Sequence, residues 1–273
     1  MALRINTNMP ALNTLRVLNR SMTALNRSME RLSSGLRINR AANDAAGLTI
    51  AEGFHSIVRG TAMAQRNVQD GINMIQTAEG DLGEITAILQ RMRELSVQAA
   101  TGTQNAKSRD ALDAEFEQLT EQIDAIATSS EFNGIKLLKD SGAITLQVGA
   151  RVGQTMDVSL TDVTKGALGL DGAGLAGADA ANANAAMDAV DAALDIVTAA
   201  RSSLGAVQNR LGFTMNRLAI EQENAASSES AIRDADMARE SIEFMRNQIL
   251  VNMGVSMLAQ ANFIPQLTLR LLG

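Results

Sequence analysis

The sequence predicts a mainly α fold: an elongated antiparallel helical coiled-coil rod with a small β-hairpin region, plus paired N- and C-terminal helices. Three observations predict it. Of 273 residues only two are proline, Pro10 and Pro265, so the 254 positions between them lack the residue that breaks helices. Aromatic residues make up 2% of the chain against 46% apolar residues overall. That is too few large rings for an ordinary globular core, and it suits long helices packed through small and aliphatic side chains. Apolar residues also recur in steps of three and four over most of the length, the spacing that lines one side of a helix with a coiled-coil seam.

Residues 1–44 hold an N-terminal helix and a joint. The helix seam is Leu15, Leu18, Met22, Leu25, Met29, Leu32 and Leu36. Ser33-Ser34-Gly35 and Asn43-Asp44 interrupt it, with Asp44 placed to cap the next helix. A rod domain then spans 45–229. Its first helix, 45–100, carries the seam Ile50, Phe54, Ile57, Thr61, Ala64, Val68, Gly71, Ile75, Ala78, Leu82, Ile85, Leu89, Met92, Ser96 and Ala99. At 1.5 Å per residue that seam is roughly 75 Å long. A second helix, 105–129, shows Leu112, Phe116, Leu119, Ile123 and Ile126, and is stopped by Thr128-Ser129-Ser130 and the Asn133-Gly134 turn signal.

In the β-hairpin region, 140–162, Ile144, Leu146 and Val148, then Met156, Val158 and Leu160, alternate with polar residues on either side of Gly149 to Gly153. A Gly- and Ala-rich linker fills 163–180. The return helix, 181–229, has the seam Met187, Val190, Leu194, Val197, Leu204, Leu211, Met215 and Leu218, interrupted by Arg201 and Gln208. Residues 230–273 form a C-terminal helix with a looser seam of Ile242, Met245, Ile249, Met253 and Met257. A chain that doubles back at the hairpin brings its two ends together. Two isolated helices bury little surface, so they are expected to fray in a single copy and to be completed by other copies.

Composition removes most enzyme classes. The chain has no cysteine, hence no disulfide, thiolate metal site or thiol nucleophile. Its one histidine, His55, cannot build a His-rich zinc site and leaves a Ser-His-Asp scheme a single candidate base. Asp81, Glu84 and Glu94, like Asp234, Asp236 and Glu240, fall at spacings typical of solvated helix faces. No glycine-rich loop has phosphate-binding spacing. No catalytic residue, cofactor or metal site is therefore assigned.

Charge is uneven. Residues 1–40 hold seven arginines and one acid, Glu30, and so carry +6 in a chain of net charge −6. A basic-armed nucleic-acid-binding coiled coil is one reading of that arm, but its arginines are spaced along an apolar repeat rather than clustered. No apolar run is long enough to insert in a membrane, and no cleavable secretory signal is evident.

Motifs along the whole length point to one family. They are Leu32-Ser33-Ser34-Gly35-Leu36-Arg37-Ile38-Asn39, Asn43-Asp44-Ala45-Ala46-Gly47-Leu48, Ile75-Gln76-Thr77-Ala78-Glu79-Gly80, Leu89-Gln90-Arg91-Met92-Arg93-Glu94-Leu95 and Glu131-Phe132-Asn133-Gly134. The second half adds Leu204-Gly205-Ala206-Val207-Gln208-Asn209-Arg210-Leu211, Ile232-Arg233-Asp234-Ala235-Asp236-Met237-Ala238 and Met257-Leu258-Ala259-Gln260-Ala261-Asn262. In this order they resemble bacterial flagellin, in a short form without outer domains.

The resemblance implies a structural subunit that polymerises into the flagellar filament for motility, its terminal helices forming an inner coiled coil that orders on assembly. It implies an extracellular location in the filament, reached by type III export without a cleaved signal peptide. The implied partners are other copies of the chain in a helical homopolymer, hook-associated and cap proteins, and an export chaperone at the C-terminal helix. Arg91, Leu95 and Glu115 match positions that the vertebrate Toll-like receptor for flagellin contacts in relatives, whereas by sequence alone Arg91 and Glu115 read as solvated rod charges. A hook-filament junction protein, which shares the terminal helices, is the nearest alternative.

Overall fold

The computed structural model describes residues 7–177 and 180–272. Arg4 of the basic arm and two positions of the expected linker lie outside the described residues. Among the described residues the chain forms five helices: α1 (Met9–Ser34), α2 (Ala45–Ala100), α3 (Ala106–Ser129), α4 (Ala181–Arg233) and α5 (Met237–Leu272). Two antiparallel strand pairs join them, β1 (Glu131–Phe132) with β2 (Ile135–Lys136), and β3 (Ala143–Gln147) with β4 (Thr155–Ser159). Two compact units divide the chain, Met1–Ile57 with Glu223–Gly273, and Val58–Gln222. Helices α2 and α4 contribute to both.

The core of the Val58–Gln222 unit follows the repeat read from the sequence. From Thr61 to Ala99 every position of the predicted α2 seam is buried. The buried hydroxyl of Ser96 donates to the Met92 carbonyl at 2.8 Å, so this weak seam position leaves no polar atom stranded. Helix α3 runs antiparallel beside α2, with Arg91 reaching Glu115 near one end and Ser130 reaching Asp81 near the other. Where α3 ends, the β3–β4 hairpin takes over the α2 surface. Asn67 Nδ2 donates to the Gln147 carbonyl at 3.1 Å, and Gly71 lies so close to the Leu146 side chain that a Cβ would collide with it. In the hairpin, Ile144 pairs with Val158 and Leu146 with Met156.

Helix α4 corrects the expected seam. Its buried positions are Ala183, Ala186, Val190, Ala193, Val197, Ala200, Leu204, Val207, Leu211, Leu218 and Ala225. Ala200 and Val207 therefore occupy the layers assigned to Arg201 and Gln208, and the seam is not interrupted. Alanine carries little hydrophobic signal, yet it fills such a layer when helices approach closely. Arg93 fixes the pairing of α2 with α4 by donating to Asp191 through Nε at 2.6 Å.

Two further segments differ from the sequence reading. Asn133 and Gly134, at φ 50° and 81°, are the central residues of a two-residue turn that closes the small β1–β2 hairpin, as a primed turn requires. The linker is part of the core: Val163, Leu168, Leu170 and Leu175 are at most 2% exposed. Asp113 on α3 accepts from the Leu175 amide and Asp124 from the Lys165 amide. The four apolar residues lie too irregularly for a period, so composition alone suggested a free linker.

Arg109, only 4% exposed, finishes α2 from the first turns of α3. Its Nε donates to the Ala99 carbonyl at 2.9 Å and its Nη2 to Thr101 at 3.5 Å, placing positive charge where the α2 carbonyls run out of helical partners. Arg109→Met keeps the apolar stem and removes these bonds. It is expected to lower the unfolding free energy by about 1.5–3 kcal/mol, read as a lower urea midpoint with an unchanged slope.

Candidate functional site

The second unit is built on α1 and α5, which run antiparallel. Asn8 at one end donates to the Ala261 carbonyl at 2.9 Å, Leu18 packs on Gly254, and Arg31 meets Glu240 at 3.4 Å. Both helices are capped by their own sequence. Asn8 accepts from the Ala11 amide at 3.1 Å and Pro10 sits in the first turn, where a missing amide proton costs nothing. Gly35 closes α1 in the left-handed conformation at φ 71°, its amide bonded to Arg31 O. Asp236 caps α5 by accepting from the Ala238 and Arg239 amides at 3.0 and 3.1 Å.

Between these caps lies the joint. Leu36 bridges Asp234, the Arg37 amide donates to Arg233 O at 2.7 Å, and the Ala235 amide donates to Gly35 O at 2.9 Å. The Arg37 guanidinium bonds the Ile232 carbonyl near the end of α4, where a cation complements the helix dipole. Asp44 caps α2 by accepting from the Gly47 amide at 2.9 Å. Gly47 has no room for a Cβ, because the Asp44 carboxylate and the buried Ile38 fill that space. The Ser-Ser-Gly and Asn-Asp signatures are thus the stop and start of consecutive helices. His55 lies beside Glu229 at 3.1 Å and Arg233 beside Glu52 at 3.2 Å, so His55 has a carboxylate partner.

The seam that α1 and α5 share differs from the predicted one by a rotation. On α1 the shielded positions include Ala11, Thr14, Leu18, Ser21, Leu25, Ser28 and Leu32; on α5 they include Glu240, Phe244, Asn247, Val251, Gly254, Leu258 and Ala261. Both sets keep the three-and-four step. Of the predicted α1 seam, Leu18 is buried and Leu25, Leu32 and Leu36 are half-buried, but Leu15, Met22 and Met29 are 42–47% exposed. Thr14, Ser21 and Ser28 take their layer. On α5 all five predicted seam residues, Ile242, Met245, Ile249, Met253 and Met257, are 54–62% exposed.

Two physical causes explain the rotation. Apolar residues lie on every side of helix α5, mixed with polar ones such as Glu243, Arg246, Gln248 and Asn252, so hydrophobicity selects no single face. Small residues admit close backbone approach, and Gly254 against Leu18 fixes which face turns inward. The heptad spacing of Thr14, Ser21 and Ser28, together with Gly254, was the sequence signal that identifies this face.

What remains outside is a broad apolar surface. Besides the exposed seam residues it includes Leu12 and Val17 on α1 and Leu250, Val255 and Phe263 on α5. A helix with large exposed apolar residues opposite an already paired face has surface left to bury. Among the described residues no helix is long and apolar enough to cross a membrane. Among the described residues no group of three or more His, Asp or Glu side chains is placed to hold a metal ion.

Arg91 and Glu115 form a separate exposed pair, with Arg91 Nη2 donating to Glu115 at 2.9 Å and Nη1 to Glu94 at 3.1 Å. The bonds to Glu115 and then Glu94 hold the Arg91 guanidinium pKa above its ordinary value. Leu95 does not join them. At 1% exposure it is a core residue, turned inward by the same register that buries Met92 and Ser96, and its side chain offers no surface to a receptor.

Comparison with known proteins agrees along the chain. The profile for the bacterial flagellin N-terminal helical region matches residues 5–143, and that for the bacterial flagellin C-terminal helical region matches residues 187–272. The chain is 47% identical to a flagellin of Halalkalibacterium halodurans over 269 residues, covering 98% of this chain and 99% of that one. It is 45% identical to a flagellin of Bacillus subtilis over 303 residues, with 99% and 100% covered. The crystal structure of Bacillus cereus flagellin superposes with a TM-score of 0.50 at 36% identity, covering 56% of this chain and 88% of that chain.

Proposed function

The chain belongs to the bacterial flagellins, structural subunits of the flagellar filament and not enzymes, and from that premise we propose that it polymerises by burying the outward faces of α1 and α5 against other copies. The observation that carries this reading is the unsatisfied α5 face, five large apolar side chains at 54–62% exposure on a helix already paired along its other side. Each such side chain contributes about 1.5–3 kcal/mol when fully buried. With about 60% of each left to bury, the α5 face alone supplies about 4–9 kcal/mol gross, within the range of an association cost of about 4–15 kcal/mol. The exposed Leu12, Leu15, Val17, Met22 and Met29 of α1 supply the surplus. Contacts of this kind that do not close on themselves extend into a filament.

The same reading places the finer partners. Hook-associated and cap proteins meet the terminal helices at the two ends of a filament. An export chaperone covers the α5 face before assembly, and export proceeds without removal of a signal. Host recognition by a Toll-like receptor rests on Arg91 and Glu115, without Leu95. Four arginines of the basic arm are engaged within the chain, Arg16 with Asn13, Arg31 with Glu240, Arg37 with the Ile232 carbonyl and Arg40 with Glu30, which disfavours that arm as a nucleic-acid contact.

Seeded polymerisation of the purified chain, followed by electron microscopy, tests the proposal. Removing about 20 residues from either end, five to six helical turns, is expected to leave a soluble chain that makes no filament. Filaments from either truncated chain overturn the reading.

A further inference from the structure

The 14 methionines are sorted by unit. In the Val58–Gln222 unit Met74, Met92 and Met156 are buried, Met187 and Met215 are half-buried, and only Met63 is exposed. In the other unit every described methionine is exposed, from 46% at Met29 to 62% at Met9. Leucine or isoleucine would bury comparable apolar area at these places, and the same faces use Leu15, Ile242 and Ile249. What methionine adds is a thioether sulfur, which two-electron oxidants convert to a polar, chiral sulfoxide. With no cysteine in the chain, these thioethers are its only sulfur.

We infer that Met22, Met29, Met245, Met253 and Met257 form a reversible oxidation site that withholds an oxidised chain from polymerisation. The inference rests on the assembly reading given above. A lone pair on Sδ attacks one oxygen of hydrogen peroxide, the S–O bond forms and the O–O bond breaks. The departing hydroxide takes up the proton of the transferred hydroxyl and leaves as water. Sulfur loses two electrons and the peroxide gains them. Reduction runs through a reductase dithiol, which becomes a disulfide as the sulfoxide oxygen leaves as water.

The two forms differ where it matters. In the single chain the sulfoxides face water, so the fold of either unit is not challenged. In an apolar contact between copies, each S=O oxygen loses its water and finds no donor, an unfavourable transfer for a polar group. Buried Met74 and Met92 are shielded from the oxidant by their own core. In a filament assembled through these faces the terminal sulfurs are covered too, so the modification acts on unassembled chains.

The test uses the full chain treated with hydrogen peroxide, with oxygen additions mapped by peptide mass spectrometry, and seeded polymerisation measured before and after. The five terminal methionines are expected to be oxidised before Met74 and Met92, with an unchanged thermal melt. The critical concentration for polymerisation is expected to rise at least about tenfold, equivalent to about 1.4 kcal/mol per subunit. Treatment with the two methionine sulfoxide reductases, one for each epimer, should restore it. A variant with all five replaced by leucine, a near volume-conserving change, should polymerise and resist peroxide although the exposed Met9, Met63 and Met237 are still oxidised. The inference is overturned if the oxidised chain polymerises at an unaltered critical concentration, if reductase treatment fails to restore it, or if the leucine variant is inhibited as strongly. Failure of the untreated chain to polymerise would instead overturn the assembly reading itself.

Discussion

The double substitution Ile242→Asp, Ile249→Asp is expected to abolish filament formation while leaving a folded chain. Both side chains lie on the outward face of α5, 62% and 59% exposed. Aspartate there removes little internal contact, and exposed substitutions usually change stability by no more than about 0.5 kcal/mol. In a contact between copies the same change removes the transfer energy of the exposed parts of two isoleucines, about 2–4 kcal/mol per subunit, and asks two carboxylates to give up water. Negative-stain electron microscopy and sedimentation read the polymer, and urea unfolding reads the chain.

The inner seam should respond in the opposite sense. Leu18 is 7% exposed and packs against Gly254. Leu18→Ala is expected to weaken the α1–α5 pairing by about 2–5 kcal/mol, visible as earlier unfolding of the terminal helices before assembly is tested. If Ile242→Asp, Ile249→Asp chains still form filaments, the outward α5 face is not the assembly surface.

Phe116→Ala is expected to give the largest loss of stability from a single substitution in the Val58–Gln222 unit. Phe116 is the only fully buried aromatic side chain among the described residues, at 0% exposure in the cluster with Leu89, Met92 and Ile123. Truncating such a ring costs about 3–5 kcal/mol, because the cavity adds to the lost transfer energy. Phe213→Ala, in the same unit but at 75% exposure, should change the urea midpoint by less than about 0.5 kcal/mol equivalent. An equal response at both positions would show that ring count rather than burial governs this core.

How much was legible in the sequence depended on side-chain size and polarity contrast. The α2 seam was readable because large aliphatic residues alternate with charged ones, so one register stands out, and from Thr61 to Ala99 it is the buried one. The β3–β4 pairing was readable from a period of two on both sides of a glycine-flanked turn. The α4 layers at Ala200 and Val207 were misplaced by one residue, since alanine is nearly silent in a hydrophobic reading. The packing of residues 163–175 could not be read, because its amide partners Asp113 and Asp124 lie on α3, far away in sequence. On α1 the three-and-four spacing points Leu15, Met22 and Met29 into the seam, whereas they lie outside it, and Leu95, matched to a surface position, is a core residue.

The sequence by itself determined that this chain is helical, that its ends carry more apolar surface than two helices can hide, and where its helices stop and start. Those properties are local: proline absence, three-and-four spacing, and the capping chemistry of Asn8, Gly35, Asp44 and Asp236 act within a few residues. Only the tertiary structure decided which face of α5 turns inward. Apolar residues are spread over all faces of that helix among polar ones, so hydrophobicity cannot choose among them, and the choice falls to close approach at Gly254 and the small side chains of Thr14, Ser21 and Ser28. By selecting the inner face, that packing also selected the outer one, and with it the surface left to meet another copy.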